Sequence, residues 1–305
     1  MTVQFDAWMR ERQAHFESVA DRMLPPEGFP EGLRDAMRWS VLGGGKRVRP
    51  LLAYAAADLT EAPEAAVDAA AFALECIHSY SLVHDDLPCM DNDLLRHGKA
   101  STHAKYGFAE GVLAGDALQA EAFAALAGGA IPAGNVPQLV ALLAEGAGAR
   151  GMCGGQWADI KCTGPGAPKI GEPELKRLHA MKTGALIRSA VLMGAACGSE
   201  ALADDALLSK LRRFSEALGL AFQVVDDVLD VEGDTATLGK TAGKDAEEGK
   251  ATYVTLLGLP KAKALAKEAE AEALAALSEI EADSRFSGRT LRLAQIAKFV
   301  VSRES

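Results

Sequence analysis

Six aspartates fall in two short clusters, Asp85-Asp86-Leu87-Pro88-Cys89-Met90-Asp91 and Asp226-Asp227-Val228-Leu229-Asp230, each closing a strongly apolar stretch. A carboxylate in apolar surroundings is costly unless something neutralises it. Asp226 and Asp230 are four residues apart, so a helix sets them on one face, separated by ~40°. Two like charges on one face invite a cation. Six residues separate Asp85 from Asp91, which a continuous helix would rotate well apart. Pro88 predicts instead that the helix stops and the chain turns, bringing Asp91 back toward Asp85. Oxygen ligands without histidine or cysteine suit magnesium, which keeps several waters and shares its shell with substrate phosphates. This is the composition of a diphosphate clamp. A solvated helix end explains either cluster alone, but two clusters capping two buried helices form a much more specific pattern.

Basic residues supply the complementary half. The stretch Gly43-Gly44-Gly45-Lys46-Arg47-Val48-Arg49-Pro50 sets three cations beside glycines that permit close backbone approach, although the Gly-x-x-x-x-Gly-Lys-Ser/Thr pattern of a Walker loop is absent. Its bland reading is a flexible basic turn. Further cations follow at Arg96, Lys99, Lys182, Lys240, Lys244 and Lys250, and Lys182-Thr183-Gly184 offers a charge, a hydroxyl and accessible backbone. His78 lies seven residues before Asp85, on nearly the same helical face. It is equally well read as a diphosphate donor or as a satisfied buried histidine, whereas His84 and His103 read as structural and Met90 and Met152 as core filling. No Gly-x-Ser-x-Gly occurs and no cysteine has an evident base, so covalent catalysis is not expected. Metals and cations that pull a diphosphate away, with apolar walls around the resulting carbocation, fit better.

The elements that must position these groups read as helices throughout. Alanine and leucine dominate, and apolar residues recur at three- and four-residue spacing, as in Ala70, Ala73, Leu74, Ile77. Gly- and Pro-rich breaks leave room for about ten helices in an all-α bundle. Helices over 64–85 and 204–230 are apolar nearly all round and predict central positions, while Lys261 to Glu281 predicts a charged, alanine-rich outer helix with a solvated face. With 305 residues, 49% of them hydrophobic, and no linker or repeat, one domain spanning 1–305 is expected. The net charge of −10 opposes nucleic acid binding. The first 23 residues are too charged for a signal peptide, and no apolar run approaches the ~20 residues of a membrane span. Five cysteines, odd in number and without a C-x-x-C pair, argue for reduced thiols in the cytoplasm.

These motifs together resemble the trans-polyprenyl diphosphate synthase family, most closely its bacterial farnesyl diphosphate synthase branch. Leu42 to Pro50 looks like the first substrate motif, Asp85 to Asp91 like the first aspartate-rich motif with two extra residues, and Gln223 with Asp226 to Asp230 like the second. Gly154-Gly155-Gln156-Trp157-Ala158-Asp159 and Lys182-Thr183-Gly184 match in order between them, so the resemblance covers nearly the whole chain. It implies an isoprenoid synthase bundle around a deep cavity, commonly a homodimer, and three magnesium ions, with manganese as a substitute. Asp85 and Asp91 would hold two ions, with Asp86 supporting them. Asp226 would take the third, with Asp227 and Asp230 in its shell or reached through water. Arg96, Lys182 and Lys240 would bind the allylic diphosphate, attended by Thr183, Gln223 and Lys250. Lys46, Arg49 and His78 would hold isopentenyl diphosphate. The family reaction ionises the allylic diphosphate, adds the isopentenyl double bond to the cation and loses a proton.

Residues one turn before Asp85 sit ~6 Å deeper in the bundle, about one isoprene unit. Tyr80 and Ser81 occupy those positions, and the resemblance makes an aromatic at the first a floor, predicting a C15 product. A C20 synthase is the rival within the family and a class I terpene cyclase the rival outside it. Against the cyclase stands the basic stretch Lys46 to Arg49, which serves a second diphosphate. One departure stands out: Arg96-His97-Gly98 replaces the common Arg-Arg-Gly, and an imidazole cannot form arginine's bidentate grip.

Overall fold

A computed structural model describes residues 3–27, 30–42, 44–164, 166–198, 204–232 and 250–302. The α-helices, in chain order, are α1 (Val3–Met23), α2 (Glu31–Val41), α3 (Val48–Ala57), α4 (Glu64–Asp85), α5 (Thr102–Tyr106), α6 (Phe108–Ala127), α7 (Val136–Ala147), α8 (Met152–Cys162), α9 (Glu172–His179), α10 (Ala185–Ala196), α11 (Asp205–Glu232), α12 (Tyr253–Leu257), α13 (Leu259–Glu281) and α14 (Leu291–Ser302). The fold is all-α, as the periodicity predicts. The tally exceeds the expected ten because α5 and α12 are single short turns and because the helical pattern does not mark where one helix hands over to the next.

Helix α4 is the axis of the bundle. Its buried residues include Phe72, Leu74, Ile77 and Tyr80 together with a run of alanines, and it packs against α1, α2, α3, α6, α7 and α10. Small side chains let so many helices approach one rod. It is also long and apolar enough to cross a membrane by length and composition, which corrects the expectation that no such run exists; 78% of the apolar window is buried inside the bundle. Helix α11 is the second axis, packed on α10, α13 and α14, and its C-terminal end joins Val224, Val225 and Val228 to Leu175 and Tyr253 in a smaller core beneath the second aspartate cluster. Helix α13 is less solvated than its charge suggests. Ala262, Ala266, Ala269, Ala273 and Ala276 form a buried stripe that lies along α11, with the charges on the other side.

Two features escape the helical periodicity. Leu95–Arg96 and Lys99–Ala100 (β1 and β2) form a two-residue antiparallel hairpin after the first aspartate cluster. Its tip, His97-Gly98, has φ of 51° and 74°, the left-handed pair that a tight hairpin turn requires. Between α9 and α10, Ala180–Gly184 winds as a π-helical turn, an irregularity that commonly marks functional sites.

Candidate active site

Both aspartate clusters lie at helix C-termini, α4 ending at Asp85 and α11 running two residues past Asp230. Aligned peptide dipoles make that end negative, so carboxylates there are opposed twice, by burial and by the helix. After Asp85 the chain reverses at Pro88 as expected: the Asp91 amide donates to the Asp85 carbonyl at 2.8 Å, and the amides of Met90 and Asn92 donate to Leu87. The reversal sets Asp91 beside Asp85. The Asp85 carboxyl is pushed up to about 6, chiefly by burial and further by Asp91 and Asp86, against the pull of Lys182 and Arg96.

The middle aspartate of each pair has another partner. Asp86, 2% exposed, accepts from Arg96 Nε at 3.0 Å and from Nη2 of the same guanidinium. Both contacts fall on Oδ1, so the arginine occupies one oxygen of the carboxylate expected to support the metal ligands. Asp227 accepts from Gln223 Nε2 at 3.0 Å and from the Tyr253 amide at 2.8 Å, while Thr183 Oγ1 donates to Gln223 Oε1 at 3.1 Å. Thr183, Gln223 and Asp227 therefore form one chain tying the π turn to α11 and α12. Asp226 is half-buried and Asp230 buried on the adjoining faces of α11.

Lys182 and Lys250 converge on a single carboxylate, Asp159 of α8, which Lys182 contacts directly and Lys250 approaches at 3.5 Å. Burial works to raise the Asp159 carboxyl, but Lys182 and Lys250 outweigh it and hold the group below its usual range. Gln156, one turn earlier, donates through Nε2 to Asp85 Oδ1 at 2.9 Å. Sequence reasoning places Gln156 and Asp159 only within a motif and assigns them no part in the site; their Gly-Gly-Gln-x-x-Asp spacing is the available clue. The reason for glycine is plain here, since a Cβ on Gly155 would lie 2.2 Å from the Lys182 amide nitrogen. Lys240 lies outside the described residues.

The basic residues surround a cavity of about 640 Å³ beside the clusters, lined by Lys46, Arg49, His78, Arg96 and His97, with Phe222 on its apolar wall. It opens at the N-terminus of α3, where peptide amides favour an anion. Arg49 is half-buried, its Nε is fully buried and lacks a hydrogen-bond partner, and desolvation pulls its guanidinium below the ordinary value. Burial, then Arg49 and His97, hold His78 well below the usual imidazole range, so at neutral pH it carries one N–H to donate. Arg96, expected with Lys182 on the allylic diphosphate, lines this cavity and is also close enough to Asp85 to lower its carboxyl. Tyr80 is buried, with its hydroxyl 3.3 Å from Cys153 Sγ and its ring edge-on to His84. Ser81 Oγ donates back to the His78 carbonyl. All five cysteines are free thiols.

An all-α bundle in which two acidic helix ends are each tied to the segment around α8 and the π turn, through Gln156 on one side and Thr183 on the other, is of the isoprenoid synthase type, and the comparisons agree. Residues 30–285 match the polyprenyl synthetase family, and the chain belongs to it. It is 42% identical over 296 residues to farnesyl diphosphate synthase of Haemophilus influenzae, covering 96% of this chain and 94% of that one. It is 46% identical over 268 residues to the chloroplastic geranylgeranyl pyrophosphate synthase of Capsicum annuum, covering 87% and 70%. Among solved structures, an FPP/GFPP synthase from Zymomonas mobilis superposes with a TM-score of 0.86 at 35% identity, covering 99% of this chain and all of that one. A Helicobacter pylori geranyltransferase complexed with magnesium and isoprenyl diphosphate gives 0.85 at 31% identity, with 98% of each chain covered.

Proposed function

We propose that this protein condenses isopentenyl diphosphate with dimethylallyl and then geranyl diphosphate, head to tail, releasing diphosphate at each step and ending at farnesyl diphosphate. The observation that carries this reading is the pairing of two acidic helix ends with a separate cationic cavity, one place for each diphosphate. A terpene cyclase has no use for the second.

The donor set fits magnesium. Asp85 and Asp91 are brought together by the chain reversal, and Gln156 Oε1 is a buried oxygen without a hydrogen-bond donor. Asp85 and Asp91 would hold ions on one side, Asp226 and Asp230 on the other. Bound there, magnesium would neutralise charge developing on the departing diphosphate.

The protein's own groups do the rest. Lys182, freed from Asp159, grips the allylic diphosphate with Lys250. Lys46, Arg49, His78 and His97 hold isopentenyl diphosphate with its double bond toward the ionising carbon, and Phe222 keeps water from the cation. The proton lost at the end goes to the released diphosphate. Tyr80, deeper on α4, stops growth at C15. The chain works as one domain, 1–305, in the cytoplasm, and pairs with a second copy. Support for the pairing comes from Phe108 and Leu113 on α6 and Trp157 and Ile160 on α8, large apolar side chains left exposed.

Incubation with magnesium, isopentenyl diphosphate and each of dimethylallyl, geranyl and farnesyl diphosphate, with products separated by chain length, tests the reading. Farnesyl diphosphate should accumulate from the first two primers and the third should be poorly used. Cyclic hydrocarbons from farnesyl diphosphate alone would overturn it.

A further inference from the structure

Arg47 stands between two cations assigned to a diphosphate, yet its own side chain is consumed inside the protein. The residue is 6% exposed. Nε donates to Glu17 Oε1 on α1 at 2.8 Å, Nη1 donates to Glu75 Oε1 on α4 at 2.7 Å, and Nη2 reaches both Glu17 and the Val41 carbonyl. The guanidinium also lies 5.5 Å over the Phe16 ring. Helix α1 grips the turn a second time through Gln13, whose Nε2 donates to the Lys46 carbonyl at 3.0 Å.

The backbone explains why so much is needed. Arg47 has φ 50° and ψ 38°, the left-handed conformation, which a residue with a Cβ keeps only where its surroundings over-determine it. That kink starts α3 and sets the directions of Lys46 before it and Arg49 after it. Glu75 lies three residues before His78, so the Arg47–Glu75 pair ties the turn to the helix carrying the third cavity donor. Breaking a buried ion pair by removing one partner leaves an uncompensated charge and loosens both sides.

We infer that Glu17 and Glu75 are positioning residues: by holding Arg47 they fix the left-handed turn that points Lys46 and Arg49 at isopentenyl diphosphate, with α1 as the clamp on that turn. The inference rests on the assignment of the cationic cavity above. Because Arg47 borders that cavity, the opposing view is that it binds phosphate itself. The two views differ in sign. Neutralising a carboxylate frees a phosphate-binding guanidinium and tightens binding, but it lets a positioned turn drift and weakens it.

Steady-state kinetics of Glu17→Gln, Glu75→Gln and Gln13→Ala, with Lys46→Ala and Arg49→Ala as references, decide between them. Isopentenyl diphosphate is varied at saturating geranyl diphosphate, and the reverse. The two glutamate variants should raise KM for isopentenyl diphosphate by about tenfold, with KM for geranyl diphosphate unchanged and kcat held within about twofold, as misplaced binding groups predict. Gln13→Ala should give a smaller rise of the same kind. Should Glu75→Gln fail to fold, Glu17→Gln and Gln13→Ala carry the test, since Glu17 and Gln13 lie nearer the surface. A fall or no change in KM for isopentenyl diphosphate, or an equal rise in both constants, overturns the inference. If Lys46→Ala and Arg49→Ala leave that KM unmoved, the assignment of the cavity fails and the inference with it.

Discussion

At the scale of single residues, the site trades stability for chemistry. Asp85 has a folded-state carboxyl at about 6 against an ordinary 3.8, so between those values the folded protein holds the extra proton. The stability linked to this group is therefore present at acid pH and is lost as pH rises through about 6. Asp85→Asn should raise the unfolding free energy of the metal-free protein by roughly 1–2 kcal/mol at neutral pH, with no gain in acid, while activity falls at least about a hundredfold. Thermal melts across pH, alongside turnover, check both halves. His97 gives a second test. Burial, then Arg96, Arg47 and Lys99, hold its imidazole below the ordinary value, so the free enzyme carries it neutral at physiological pH, and protonation would strengthen its grip on a diphosphate in the proposed site. KM for isopentenyl diphosphate should rise with pH as His97 loses its proton, and His97→Arg should lower and flatten it. Tyr80→Ala should lengthen the product toward C20, read by mass spectrometry; an unchanged C15 product would remove the floor.

At the scale of elements, the helices were readable because an apolar face with a period of 3.6 is repeated over many residues. The pattern gives Glu64–Asp85 to the residue and the second axis to within two residues at its C-terminus. The reversal after Asp85 was readable too, because Pro88 leaves the helix few options. What escaped is whatever depends on one or two residues in three dimensions. The hairpin at His97-Gly98 is too short to carry a period of two. The π turn differs from an α turn by one residue. The commitment of Asp86 to Arg96, and of Lys182 and Lys250 to Asp159, are tertiary pairings that spacing cannot reveal. The meeting of α8 with the π turn tests the geometry directly. In Gly155→Ala the new methyl would meet backbone 2.2 Å away, so the two elements must part. A loss of about 1–3 kcal/mol in stability and a fall in kcat larger than the rise in either KM are expected. Denaturant melts and kinetics on one preparation separate the two effects.

At the scale of the whole molecule, the bundle divides its labour between two axes. Helices α4 and α11 carry the acidic ends, and everything else either packs around them or brings a cation to the space between. The apolar residues exposed on α6 and α8 belong to neither task. Tyr80 lies between these two helices, with Cys153 of α8 against its hydroxyl. Leu113→Asp, which places a charge in that exposed surface, should convert a dimer to monomer in sedimentation or light scattering while leaving the monomer's fold intact. A wild type that already sediments as a monomer would set the pairing aside.

The buried phenol of Tyr80 has a consequence for how such a protein can change over generations. The condensation depends on groups drawn from α3, α4, the hairpin, α8, the π turn and α11, so few single substitutions spare it. In the proposed reading, the length of the product hangs on one ring. Reaction and product should therefore differ greatly in mutational robustness. A library selected for longer prenyl chains should be answered mostly by changes at Tyr80 and its immediate neighbours, whereas no comparably short path leads to a different reaction.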